Sequence, residues 1–87
     1  MVESRSPEVA DTYGWLLVES GDTKLGTEIL GRASKAAPNA YEIRLHYAKA
    51  LIKSGDKGAA RKELEQIAQI QGESQVKAEA EQLLKQL

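Results

Sequence analysis

Cysteine is absent from the 87 residues. Disulfides, thiolate metal sites and cysteine nucleophiles are therefore excluded, while the compartment stays open, because such a chain tolerates either redox state. The one histidine is too few for a zinc site, which needs several converging ligands. No apolar run approaches the ~20 residues that a membrane helix requires, and the opening MVESRSPEVA has no hydrophobic signal region. A net charge of -1 leaves no basic surface for nucleic acid or an anionic membrane. What is present is ordinary for a soluble fold. With 41% hydrophobic and 29% charged residues, the chain is too apolar for disorder and suits one small domain.

The stretch LVESGDTKLG (17–26) returns as LIKSGDKGAA (51–60), 34 residues later. The same offset sets Glu8 on Glu42, Val9 on Ile43, Tyr13 on Tyr47, Gly14 on Ala48, Gly26 on Ala60 and Leu30 on Leu64. A period in this range marks a solenoid, in which each unit is one supersecondary element that buries its apolar face against its neighbours.

Each unit reads as two helices. Ser6 before Pro7 supplies an N-cap followed by proline at the first helical position, where its missing N–H costs nothing. Val9, Tyr13, Leu16, Leu17 and Val18 then recur at helical spacing. Gly21 ends this helix, since a left-handed residue is cheapest without a Cβ, and Asp22 caps the next. Gly55 and Asp56 repeat the device, so Ser-Gly-Asp is a helix stop and a helix start compressed into a hairpin turn. The second helix carries Leu25, Ile29, Leu30 and Ala33 and stops before Pro38. Asn39, with Glu42 three residues on, predicts a capping-box start for the third, which runs to Ser54 on Ile43, Tyr47, Ala48, Leu51 and Ile52. A fourth spans residue 57 to about residue 70 on Ala60, Leu64, Ile67 and Ala68. Gly72 interrupts, and Ser74 caps a fifth on Val76, Ala80, Leu83, Leu84 and Leu87. Gly14 and Gly26 fall inside helices, where glycine costs roughly 1 kcal/mol against alanine; both predict a close helix–helix approach.

This pattern resembles the tetratricopeptide repeat. Tyr13-Gly14, Leu17, Gly21-Asp22, Gly26, Leu30, Ala33 and Pro38 match in the first unit. Tyr47-Ala48, Leu51, Gly55-Asp56, Ala60, Leu64 and Ile67 match in the second, with Gly72 where a second proline would stand. The resemblance implies an all-α, right-handed α-solenoid of five helices: a leader over 1–5, one unit over 6–40, a second over 41–72 and a C-terminal solvating helix over 73–87, all one domain. It further implies a non-catalytic, protein- or peptide-binding module whose groove is lined by the first helix of each unit. More narrowly, DTYGWLLVESGD and APNAYEIRLHYAKALIKSGDKGAARKEL are similar to the last repeats of large bacterial proteins of exopolysaccharide and exosortase (PEP-CTERM) systems. That likeness implies a structural alternative, the C-terminal end of a longer solenoid in an envelope export assembly. A periplasmic or envelope location follows from it, and a cytoplasmic one otherwise.

Carried onto this sequence, the family's groove pattern gives Glu8, Asp11, Thr12, Trp15 and Glu19 from the first unit. Leu45, His46, Lys49 and Lys53 come from the second, with Val76 and Glu79 from the solvating helix. Trp15 lies off the stripe of Tyr13 and Leu17. It is either an anchor of the kind enriched at binding hot spots or a packing residue that contributes stability alone. The charges are either a solvated face or a match for a mixed-charge peptide, whose apolar anchor and carboxylate would settle against Trp15, Lys49 and Lys53. The family's chaperone-binding members hold a C-terminal carboxylate with Lys, Asn and Arg. Asp11 and Trp15 stand where Lys and Asn would be expected, which argues against that role. The segment GTEILGR (26–32) lacks the Lys-Ser/Thr ending of a phosphate loop and lies in a helix. His46 reads as an ordinary surface or groove residue, and nothing places Ser, His and Asp as a nucleophilic set. No catalytic residue, metal ligand or cofactor is therefore expected, nor any direct insertion in a membrane. Val9 and Leu16 match Ile43 and Ala50 but have no unit before them. They are expected to form an uncovered apolar face, through which the chain self-associates or on which an upstream repeat packs.

Overall fold

The computed structural model describes residues 6–87; the leader assigned to 1–5 lies outside the described residues. Five helices follow one another: α1 (Pro7–Glu19), α2 (Thr23–Ala36), α3 (Tyr41–Lys53), α4 (Lys57–Ala68) and α5 (Gln75–Gln86). Each packs on the next. In addition α1 touches α3 and α3 touches α5, whereas α2 and α4 make no close approach. The odd-numbered helices therefore form one continuous layer, with α2 and α4 behind it, in a body of 37 × 26 × 17 Å.

The two Ser-Gly-Asp turns are built alike, and each letter has a function. Gly21 and Gly55 take φ of 106° and 92°, the region that side chains with a Cβ avoid. The Asp22 N–H reaches back to the Leu17 carbonyl at 2.8 Å and the Gly21 N–H to Val18 at 3.2 Å; Asp56 and Gly55 do the same to Leu51 at 2.9 Å and Ile52 at 3.0 Å. These paired bonds are a Schellman motif, which satisfies the carbonyls a helix end leaves orphaned. The serine hydroxyls add a further donor, to Leu17 at 3.0 Å and Leu51 at 2.9 Å. A Cβ built on Gly55 meets nothing within 4 Å, so only backbone strain opposes a side chain there. Gly55→Val is expected to destabilise the domain by about 1–2 kcal/mol and Gly55→Asn by less, as read from denaturant midpoints. Equal stability of all three forms would contradict the left-handed turn.

Three local expectations need correction. Asp22 occupies the N-cap of α2 but makes no side-chain capping bond, whereas Asp56 Oδ1 accepts from the Ala59 N–H at 3.3 Å. The N-cap of α3 is Ala40, without a side-chain bond, and not Asn39. The reason is a four-residue turn: the Ala40 N–H closes on the Ala37 carbonyl at 2.9 Å, so Pro38 and Asn39 form the turn's corner and the predicted Asn39/Glu42 capping box is not made. Finally, α4 ends at Ala68, because Gln69 and Ile70 bond three residues back, to Gln66 and Ile67, a tightening common where helices terminate. At the ends of α1 and α5 the predicted caps are formed: Ser6 accepts from Val9 and Ser74 from Lys77.

Two apolar clusters hold the layers together. Leu45, Ala48, Leu64, Ile67 and Ala80 form one, flanked by Tyr41, Ile52, Val76, Leu83, Leu84 and Leu87; Val18, Leu30 and Ala50 form the other, flanked by Trp15 and Tyr47. Tyr47 lies over Gly31 of α2, where a Cβ would stand 3.1 Å from the ring. Partial burial there, then the carboxylates of Glu63 and Asp56, push the Tyr47 phenol above its usual pKa. Its counterpart one repeat earlier behaves differently. Tyr13 is 55% exposed, as are Val9 and Leu16 at 58% each, because no helix precedes α1 among the described residues. Tyr13 is thus not the core residue its spacing suggests, and Leu25 is likewise exposed. Arg44, which the pattern did not single out, ties three segments together. It donates to Glu63 on α4 at 3.2 Å, to the Pro38 carbonyl at 3.2 Å and to Gln66, and its guanidinium lies over Tyr41.

Candidate functional site

The layer of α1, α3 and α5 has two seams, and they are filled differently. Between α1 and α3, Asp11 Oδ1 lies 2.8 Å from His46 Nδ1; an ionised carboxylate only accepts, so the imidazole donates through Nδ1–H. The His46 ring stacks on Trp15, with centroids 5.0 Å apart and planes 19° from parallel. Offset stacking of this kind is favourable beyond the area it buries. Asp11, Trp15 and His46 thus close this seam with a polar pair and an aromatic stack.

Between α3 and α5 the seam stays open. Glu42, Leu45, His46 and Lys49 from α3 face Gln75, Val76 and Glu79 from α5 across a cleft of about 300 Å³. Lys49 Nζ lies 6.0 Å from the Trp15 ring centroid, at the outer limit for a cation–π contact. It also donates to Glu79 Oε2 at 3.3 Å. Among the described residues Glu42 has no ion-pair partner. The cleft therefore has an apolar floor at Leu45 and Val76, an aromatic wall at His46 backed by Trp15, and more carboxylate than ammonium on its rim.

The repeat explains the difference. Asp11 and Leu45 are equivalent positions, each pointing from the first helix of a unit toward the next odd-numbered helix. In the first seam that position is polar and takes His46; in the second it is Leu45, only 3% exposed and packed with Ala80 of α5. Leu45 is consequently a core residue that touches the cleft from below, not the groove-facing side chain the pattern implied. The α5 helix buries it.

Asp11, Trp15, His46, Lys49, Val76 and Glu79 come together around one surface. Glu8 does not join them. It lines a separate shallow hollow with Val9, Thr12, Tyr13 and Leu16 at the open end of the layer. Glu19 and Lys53 are exposed outside the cleft's lining. Glu42 and Gln75, both part of the lining, were missed. The 34-residue offset pairs Glu42 with Glu8, a signal that could have found it; Gln75 falls 34 residues after Tyr41, at the first position of α5, but shares no chemistry with Tyr41 or Pro7 that would have marked it.

Among the described residues no group of three or more His, Asp or Glu side chains is placed to hold a metal ion, and no helix is long and apolar enough to cross a membrane. The fold is that of stacked helical hairpins with an odd-helix groove. Compared with protein families, residues 17–87 match the tetratricopeptide repeat. The chain belongs to that family, whose repeats are non-catalytic scaffolds that mediate protein–protein interaction. A search of curated proteins and a search of solved structures each gave no match.

Proposed function

We propose that this chain binds an extended segment of a partner protein in the cleft between α3 and α5, with the Trp15–His46 stack as the anchoring wall. The observation that carries this reading is the cleft itself: an apolar floor and a rigid aromatic wall, set among polar side chains that can orient a ligand, the usual make-up of a binding site. Stacking holds both rings in place beforehand, so little rotamer freedom is left to lose on binding.

Charge narrows the choice of ligand. The only lysine in the lining is already bonded to Glu79, and the Asp11 carboxylate is bonded to His46. Among the described residues Glu42 is left unpaired beside them. A segment with an aliphatic or aromatic anchor and a nearby lysine or arginine fits this rim better than the carboxylate-bearing peptide that Lys49 and Lys53 alone would suggest. Selection from a random peptide library should enrich basic residues beside an apolar one. Glu42→Lys is then expected to weaken the selected peptide about five- to tenfold at low salt, the difference shrinking as salt screens the rim. Enrichment of acidic peptides, or tighter binding by Glu42→Lys, would reject this charge assignment.

A further inference from the structure

The Asp11–His46 pair has a counterpart one repeat on, and it is apolar. Moving 34 residues along, Asp11 becomes Leu45 and His46 becomes Ala80, and those two side chains pack together at the base of the α3–α5 seam. An apolar pair therefore suffices to join two odd-numbered helices. Between α1 and α3 the same two places hold a carboxylate and an imidazole, 2.8 Å apart, with side chains only 15% and 32% exposed. Exchanging a mostly buried ionic pair for apolar residues is often neutral or stabilising, so stability alone does not account for this one. Its consequence for the ring is definite. With Nδ1–H given to Asp11, the neutral imidazole keeps Nε2 as a bare acceptor. Among the described residues nothing donates to Nε2, and His46 borders the cleft.

We propose that Asp11 is a positioning residue for ligand recognition: it fixes His46 in the tautomer whose Nε2 accepts a hydrogen bond from a basic side chain of the bound segment. This rests on binding in the α3–α5 cleft. Glu42 lies one turn before His46 on α3, a spacing that makes the two side chains neighbours. A lysine ammonium and an arginine guanidinium each carry several donors, so one cation can give one N–H to the Glu42 carboxylate and another to Nε2. The charged groups around the ring are Asp11 from α1, Glu42 and Lys49 from α3, and Glu79 from α5. Glu8 lines a separate hollow, and Arg44 is turned to the other face of α3, toward Glu63 on α4. Three carboxylates against one ammonium draw positive charge to this place, either as a ligand cation beside Nε2 or as a proton on it. The two exclude each other, because a protonated Nε2 has no lone pair to offer and repels a cation. Binding therefore needs the neutral ring. Affinity is full above the pH at which the imidazole titrates in the free chain and falls by up to about tenfold per pH unit below it. Side-chain carboxylates ordinarily stay ionised above about pH 5, so the fall belongs to the imidazole.

His46 is the only histidine, so its ring nitrogens are read without ambiguity in a long-range proton–nitrogen NMR spectrum. At about pH 8 the free chain is expected to show the Nδ1–H tautomer, and Asp11→Leu to shift toward Nε2–H. A peptide selected from a random library is then titrated from about pH 8 to about pH 5.5. Wild-type affinity should fall about tenfold over this range. His46→Gln, whose amide also accepts but does not titrate, should give a flat profile. Asp11→Leu should bind about three- to tenfold less tightly at the alkaline end. The double variant Asp11→Leu with His46→Ala copies the α3–α5 pair into the α1–α3 seam and should stay folded by circular dichroism. The proposal is overturned by the Nε2–H tautomer in the free chain, by the same tautomer in Asp11→Leu, or by wild-type binding in the cleft that does not change with pH. A pH-dependent fall that survives in His46→Gln overturns it as well, and so does an unfolded double variant, which would assign the pair to packing. A selected peptide that leaves the Trp15, Lys49 and Glu79 resonances unmoved refutes binding in the cleft itself, and this proposal with it.

Discussion

Replacing Gly26 by valine is expected to unfold or nearly unfold the domain. A Cβ on Gly26 would lie 2.5 Å from the Gly14 carbonyl oxygen, 2.6 Å from Val18 Cγ2 and 2.9 Å from the Val18 backbone nitrogen. Two of these neighbours are backbone atoms, which no rotamer change can move aside. Helices α1 and α2 would have to separate, opening the cluster of Val18, Leu30 and Ala50 that Trp15 packs on. Overpacking a core costs about 1–3 kcal/mol where side chains can adjust; with backbone in the way, Gly26→Val should reach about 3 kcal/mol or more. A domain of this size has only about 4–13 kcal/mol in all. Gly14→Ala meets Leu30 Cγ at 3.0 Å and the Gly26 carbonyl at 3.1 Å and should cost less. Gly58→Ala, with nothing within 4 Å, should be neutral or stabilising by up to about 1 kcal/mol. Chemical denaturation of the three variants checks this ranking, and a Gly26→Val protein as stable as wild type would refute the close approach of α1 and α2.

Trp15→Ala should remove groove binding while leaving a folded, weakened protein. Its ring is half-buried, stacked on His46 and packed against the second apolar cluster, so it is at once a packing residue and the backing of the cleft's aromatic wall. Truncating a fully buried tryptophan costs about 3–5 kcal/mol; for this partly exposed ring about 2–3 kcal/mol is expected. Without the indole, His46 loses its stacking partner and Lys49 the face it lies over, and affinity for a selected peptide should fall at least about thirtyfold, as for a hot spot. Titrations run where circular dichroism shows the mutant still folded separate the two effects. Unchanged affinity would make Trp15 a packing residue only.

What the sequence revealed follows from how far each interaction reaches. The Ser-Gly-Asp turns were legible because a Schellman motif is local, and its glycine, serine and aspartate have fixed places within six residues. The open end was legible because a 34-residue offset compares Val9, Tyr13 and Leu16 directly with residues that have a helix before them. Asn39 misled because a capping-box spacing and a Pro-Asn turn share the same letters, and only the Ala37–Ala40 bond decides between them. Leu45 and the α1–α3 seam were not legible at all. Whether a position on an odd-numbered helix faces the groove or the next helix depends on how closely that neighbour stacks, and the same position is Asp11 against His46 in one seam and Leu45 under α5 in the other. The open cleft lies one helix further along than Trp15 alone would suggest, and that follows from the packing.

The most direct test of the groove assignment is an amide-resolved NMR titration of the wild-type chain with a peptide selected from a random library. Binding in the cleft predicts the largest shifts at the Trp15 indole N–H, His46, Lys49, Val76 and Glu79, with α2 and α4 unchanged. Shifts confined to Val9, Tyr13 and Leu16, or to the outer faces of α2 and α4, would contradict it.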